Sequence, residues 1–255
     1  MTILSSKDNP KVRHWRKLAE DPRYRRAQRR ALIEGPHLLQ AALQHGRKPL
    51  NVLATEKGAA DPEIRRLLQQ SAVRPVVVTE AVLRSIADAE SPQGVAAEIE
   101  LPAPAGKAEV PAVFLEGVQD PANVGAIFRT SAALGVRRVV LDQTCADAWS
   151  PKALRAGMGG HFALQVRETR ELLSELDAFQ GTVVCAVVRD GVQLPGASLN
   201  GALAWVFGAE GVGLSAAVLE RADVKVTIPI TPGTDSLNVA ASAAICLYEA
   251  YRRGI

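Results

Sequence analysis

The stretch "IPITPGTDSLNVAASAAICLYE" (228–249) packs Thr231, Pro232, Gly233, Thr234, Asp235, Ser236 and Asn238 into eight positions at a strand-to-helix junction. One side chain is enough to cap a helix. The surplus hydroxyls, carboxyl and amide, with the backbone that a Pro-Gly turn exposes, have the chemistry to hold a polar ligand; capping is the alternative, and it accounts for one of Ser236 and Asn238 but not both. Two further stretches carry a similar excess. "FGAEGVGLS" (207–215) ends an apolar run with Gly208, Glu210, Gly211 and Gly213. Its glycines permit a tight turn and close approach of backbone to a ligand, and Glu210 is either a functional acid or one that favours the start of the next helix. "PANVGAIFRTSAALGV" (121–136) has Asn123 at a helix start and Arg129 nearly two turns on, interrupting an apolar series. A guanidinium stays protonated, so Arg129 is a poor base. Spacing alone favours a solvent-facing Arg on a polar face over a functional one.

Several chemistries are disfavoured. There is no GxxxxGK[ST], and the glycines of 208–213 run GxxGxG rather than GxGxxG. Cys145, Cys185 and Cys246 lack CxxC spacing and read as buried reduced thiols; the four histidines pair with no other His or Cys at ligand spacing. No metal is expected. No apolar run reaches the roughly 18 residues of a membrane helix, and the N-terminus has no signal-peptide pattern, so the expectation is a cytoplasmic protein without membrane association. Net charge is +3, but residues 1–30 hold ten Lys/Arg against three acids, +7 in all, which leaves −4 for the rest. Arg13, Arg16, Lys17, Arg25 and Arg26, with Trp15 and Tyr24 between them as stacking candidates, suit a polyanion such as nucleic acid, RNA or DNA. A solvated helical face is the other reading.

The elements that must position these groups alternate. In the first hundred residues "NPKVRHWRKLAED", "PRYRRAQRR", "PHLLQAALQHG", "DPEIRRLLQQSA" and "EAVLRSIAD" read as helices, and "ALIEG", "PLNVLAT", "RPVVVT" and "GVAAEIE" as strands. Residues 101–112, with Pro102, Pro104, Gly106 and Pro111, read as a linker. Beyond it, "AVFLEGV", "VRRVVLD", "GTVVCAVV", "ALAWVFG" and "VKVTIPI" read as strands, two of them nearly continuous apolar runs, with helices between. That pattern predicts a parallel sheet covered on both faces. The expected domains are 1–104 and 105–255.

The three motifs, in this order and at these distances, resemble those of the SpoU/TrmH-type RNA ribose 2′-O-methyltransferases of the SPOUT superfamily, and the resemblance covers 111–253. The N-terminal part, closing with "SPQGVAAEI", is similar to the small α/β RNA-binding domain that often precedes the catalytic domain in this family. The resemblance implies a deep trefoil knot in the C-terminal domain, S-adenosylmethionine as methyl donor, a homodimer with the active site near the subunit interface, and methylation of a ribose 2′-hydroxyl in rRNA or tRNA. By the same resemblance Asn123, Arg129, Glu210, Ser236 and Asn238 are catalytic, and Gly208, Gly211, Gly213, Ile228 and Leu237 hold the cofactor. Lys152 and Arg155, one turn apart in "TCADAWSPKALRAGMGGHF" (144–162), are further RNA candidates. Two rival readings are a base methyltransferase of the same superfamily and an RNA-binding relative without catalysis.

Overall fold

The computed structural model describes residues 3–103 and 110–255. Up to residue 100 the chain forms α1 (Pro10–Glu20), α2 (Pro22–Gln28), β1 (Arg30–Glu34), α3 (Gly35–Gln44), β2 (Asn51–Ala54), α4 (Glu56–Ala60), α5 (Pro62–Ser71), β3 (Val76–Val77), α6 (Glu80–Arg84) and β4 (Val95–Glu100). From residue 112 it forms β5 (Ala112–Glu116), α7 (Pro121–Ala133), β6 (Arg138–Asp142), α8 (Pro151–Gly157), α9 (Gly160–Ala163), β7 (Gln165–Thr169), α10 (Leu172–Asp177), β8 (Thr182–Ala186), β9 (Val192–Gln193), β10 (Leu203–Gly208), α11 (Ala216–Arg221), β11 (Val224–Thr227) and α12 (Val239–Arg252). The middle of the expected linker, 104–109, lies outside the described residues.

The chain divides into two compact units: Met1–Pro102 with Asp147–Phe162, and Ala103–Ala146 with Ala163–Ile255. The excursion 147–162 therefore groups with the first unit, a return that the expected boundary after residue 104 did not include. Two contacts explain it. Asp147 meets the Arg25 guanidinium at 2.8 Å, both side chains buried. Gly159, at φ +86, brings its backbone so close to α3 that a Cβ there would lie 2.5 Å from that of Ala41.

In the first unit a four-stranded mixed sheet runs β1-β4-β2-β3. β4 is antiparallel to both β1 and β2. Val12, Trp15 and Leu18 place one face of α1 in the core with Leu32, Leu53 and Val82. Under that helix the carboxylate of Glu98 is fully buried and accepts from His14 Nε2 (3.1 Å), Trp15 Nε1 (3.0 Å), Arg30 Nη1 (2.7 Å) and Asn51 Nδ2 (2.8 Å). Burial alone would raise its pKa; those hydrogen bonds outweigh burial and hold it below the usual carboxylate value.

In the second unit seven parallel strands run β7-β6-β5-β10-β8-β11-β9. Phe114, Val140, Val183 and Val206 pack with Leu172 and Leu176 of α10 and Val218 of α11. Val113, Leu115, Trp205 and Phe207 alternate with them and are buried on the opposite face. α12 packs along α7 and against β10. The edge strands β7 and β9 are absent from the expected set. Gln165–Thr169 buries only Val166, and both residues of β9 are exposed, so neither shows the apolar run that marks the central strands. The three cysteines are buried and free; burial pushes each thiol up to about 12.

Candidate functional site

The three motifs follow the C-terminal ends of β5, β10 and β11. β5 and β10 are neighbours in the sheet, and α7 leads from β5 to β6 on the opposite side, so the chain reverses direction across the sheet at this point. Such a switch point is where parallel α/β sheets gather ligands. Asp120 caps α7 through the Ala122 N–H (3.0 Å) and so fixes Asn123 in its first turn. Asn238 caps α12, its Oδ1 accepting from Ala240 N (2.9 Å) and Ala241 N (3.2 Å). With one oxygen engaged in the cap, its amide nitrogen points across the junction. It donates to Glu210 Oε1 (2.8 Å) and to Asn123 Oδ1 (3.1 Å). Asn123 Nδ2 donates to the same Glu210 Oε1 at 2.9 Å. One residue from each motif thus enters a closed triangle of hydrogen bonds on one carboxylate oxygen.

The glycines set the loop that carries Glu210. A Cβ on Gly208 would lie 2.4 Å from the carbonyl carbon of Gly213, so only glycine permits this fold-back. Gly211 and Gly213 adopt φ +86 and +77, and Gly213 N–H donates to Ala209 O at 2.9 Å. Two acids that the sequence reading did not single out brace the same edge. Glu116, the last residue of β5, accepts from Ser215 N (2.8 Å). Asp142, the last of β6, accepts from Gly117 N (3.2 Å) and Cys145 N (2.9 Å). The available signal was an acid closing each apolar strand, "AVFLE" and "VVLD", at the sheet end where ligands collect.

Beside Asn238 in sequence, Leu237 lines a cavity of about 620 Å³ together with Ile228, Pro229, Ile230 and Ile245. Ile228 and Leu237, expected to contact a cofactor, therefore share one apolar surface. Arg129 and Ser236 are exposed, and neither makes a hydrogen bond or ion pair among the described residues. The structure brings Asn123, Glu210 and Asn238 into mutual contact and leaves Arg129 and Ser236 outside that triangle.

The basic N-terminal segment needs two corrections. Trp15 is not a stacking platform: it is 1% exposed and hydrogen-bonded to Glu98. Arg25 is not a surface cation for RNA, because its guanidinium is buried between Asp147 and the carbonyls of Leu18 (2.6 Å) and Ala19 (2.8 Å). Arg16 is partly buried, its guanidinium 3.3 Å from the Lys7 carbonyl. Arg13, Lys17 and Arg26 are exposed, and Lys17 lies over the Tyr24 ring at 5.4 Å. Lys152 and Arg155 are both exposed on α8, Arg155 paired with Asp88 at 2.6 Å. Among the described residues no group of three or more His, Cys, Asp or Glu is arranged to hold a metal ion.

Comparison with known proteins gives a consistent picture. The SpoU rRNA Methylase family profile matches residues 111–248, and the profile of the MRM3-like substrate binding domain matches 9–97. The chain is similar to the 23S rRNA (guanosine(2553)-2′-O)-methyltransferase RlmP of Bacillus subtilis, with 30% identity over 98% of this chain and 99% of that one. A crystal structure of an RNA 2′-O ribose methyltransferase superposes with TM-score 0.84 and 30% identity, covering 99% of both chains. An AdoMet-bound rRNA methyltransferase from Sinorhizobium meliloti gives TM-score 0.86 and 26% identity, covering 100% of this chain and 98% of that one.

Proposed function

Because the chain belongs to the SpoU rRNA Methylase family, we propose that it transfers a methyl group from S-adenosylmethionine to a ribose 2′-hydroxyl of ribosomal RNA. The observation that carries this reading is the Asn123–Glu210–Asn238 triangle, which draws the three motifs to one point next to the cavity residue Leu237. The residues present suit that cofactor. Ile228, Leu237 and Ile245 offer an apolar surface for a flat adenine ring, and the glycine fold-back at 208–213 allows close backbone contact. When bound, the cofactor supplies an electrophilic methyl on a sulfonium sulfur.

The protein's own task is to orient a weakly acidic hydroxyl and let its proton leave. Glu210, by accepting from both amides, fixes the loops that frame the reacting groups. Arg129, exposed and without an internal partner among the described residues, is placed in the role of holding an RNA phosphate and stabilising the oxygen as it loses its proton. Because the guanidinium stays protonated, the proton passes to the phosphate or to solvent. Ser236 completes the polar surface on the substrate side. Arg13, Lys17 and Arg26 supply exposed cations for the RNA backbone.

The threaded trefoil of the superfamily, a homodimer and a cytoplasmic location belong to the same reading. Supporting it are the small residues Ala240, Ala243 and Ala244 in α12, which packs along α7, and the exposed Ile245, Tyr248 and Tyr251 on that helix. Among the described residues no helix is long and apolar enough to cross a membrane.

The test is to incubate the protein and labelled cofactor with total RNA from a strain lacking it, then map the product. One ribose-methylated nucleotide in rRNA is expected. Arg129→Ala should lower turnover by about 100-fold with cofactor affinity retained. Label in a base, or unchanged turnover, overturns the assignment.

A further inference from the structure

The first unit contains a second cavity, of about 410 Å³, that the proposed chemistry does not use. Its walls are apolar: Leu32 from β1, Leu38 from α3, Leu83 from α6 and Leu154 from α8. Its polar groups are few and of mixed kind: the Glu34 carboxylate, the Gln93 amide, the His37 imidazole and the Arg155 guanidinium. Glu34 is the informative one. Its two oxygens accept from Asp88 N (2.7 Å) and Ala89 N (3.2 Å), which leaves each with a second lone pair, and among the described residues it has no ion-pair partner. Burial raises its pKa above the usual carboxylate value, partly offset by those amides. Gln93 lies directly over the strand-to-helix turn. Its Oε1 is 2.9 Å from where a Cβ on Gly35 would sit, and Gly35 is at φ +84, so the turn and the amide fit each other only with glycine there.

This combination selects a ligand class. A phosphate or other anion would meet the Glu34 carboxylate. A purely aliphatic ligand would leave Glu34 and Gln93 without partners, at a cost of desolvation. A flat neutral ring with N–H donors along one edge satisfies both the walls and the carboxylate. Guanine is such a ring: N1–H and the exocyclic amine form a paired donor edge that a carboxylate accepts, and O6 and N7 accept from amide or guanidinium donors. Lys152, exposed on α8, adds positive charge for a flanking phosphate, whereas Arg155 is already paired with Asp88.

We propose that this cavity receives one unpaired guanine of the substrate RNA, gripping a point away from the methylated ribose and so setting which nucleotide is modified. The inference rests on the reading of the chain as an RNA methyltransferase. RNA proteins commonly read sequence in this way, from bases splayed out of loops and bulges.

The experiment uses the full-length protein and 23S rRNA transcripts in which inosine, which lacks the exocyclic amine, randomly replaces guanosine. The inosine is introduced as its α-phosphorothioate, and iodine cleavage of the bound and unbound pools maps each substituted position. For the native protein, inosine at one unpaired position should be depleted from the bound pool. Ala87→Trp fills the cavity from a partly exposed position. It should raise the KM for RNA by about tenfold or more and erase the interference at that position, with cofactor affinity by calorimetry unchanged. Glu34→Gln should erase the same discrimination, and it decides the matter if Ala87→Trp does not fold. No interfering position, or full interference retained in both variants, overturns the proposal. So does guanosine monophosphate that binds the cavity with no inosine effect in RNA, which marks a free-nucleotide site. If the native protein neither binds nor methylates RNA, the reading it rests on falls and the cavity assignment falls with it; methylation that persists without interference sinks only the cavity.

Discussion

The Asn238 amide does two things at once. Its oxygen caps α12 and its nitrogen joins Glu210 and Asn123. Substitution can separate the two roles. Aspartate keeps the capping oxygen but loses the donor and puts a second carboxylate against Glu210, whereas alanine loses both. Asn238→Asp should therefore retain thermal stability close to the native protein and lower methylation by tenfold to about 100-fold, the cost of a hydrogen bond to a charged group. Asn238→Ala should show a comparable loss of activity and also about 1 kcal/mol less stability from the lost cap. Parallel thermal melts and turnover assays check this; equal stability of the two variants would remove the capping role. Both Ser236 and Asn238 stood out in the sequence because one cap does not need two polar residues, and the structure assigns the cap to Asn238 alone. The misread residues failed for different reasons. Trp15 lies three residues from both Val12 and Leu18 on α1, so helical spacing already marked it as core. Arg25 is buried by Asp147, 122 residues away, and no local pattern reports that pairing.

At the scale of elements, two buried titratable groups make the first unit sensitive to acid. His161 is fully buried and donates Nε2–H to Ala148 O at 2.8 Å; burial lowers its pKa to about 4 from an ordinary 6.5. The folded state resists protonation that the unfolded chain accepts, so stability is complete above pH 6.5 and is lost as pH falls towards 4. The loss should reach about 3 kcal/mol, and His161→Gln, which keeps the donor, should remove most of this dependence. Glu98 acts lower on the scale. Its depressed pKa gives stability that is present above pH 4.5 and lost as pH falls through the folded value. Glu98 also joins α1, β1 and β2 to β4, and Glu98→Ala leaves Trp15 Nε1 and Asn51 Nδ2 unpaired. That variant should lose about 3 kcal/mol or more even at neutral pH. Urea unfolding from pH 7 down to about pH 3 measures both effects. Strands and helices with strong apolar periodicity were legible from the sequence, as was a cap ahead of α12, though not which of Ser236 and Asn238 supplies it. The edge strands β7 and β9 were not, since a strand with exposed residues gives little hydrophobic signal.

At the scale of the molecule, what the chain leaves exposed bears on its assembly. α12 buries Ala243, Cys246, Leu247 and Ala250, and turns Ile245, Tyr248 and Tyr251 outward at 41%, 57% and 58% exposure. These are large apolar or aromatic side chains on one helix of a 27.1 kDa chain, and among the described residues there is little other exposed aromatic surface. Tyrosine is enriched where an interface needs contact area with a polar tip. Under the homodimer reading a second copy covers this helix, beside the cavity that Ile245 helps to line. Tyr248 is outside that cavity, which makes it the cleaner probe. Tyr248→Glu introduces a charge that must be desolvated in the interface, a change that costs several kcal/mol when one side of the contact has no counter-charge. Sedimentation should show the native protein at about twice the chain mass and the variant as a monomer, with a cooperative unfolding transition preserved. If the dimer completes the active site, the monomeric variant should also lose most of its methylation at protein concentrations where the native chain is dimeric. A variant that stays dimeric would move the interface away from this face of α12.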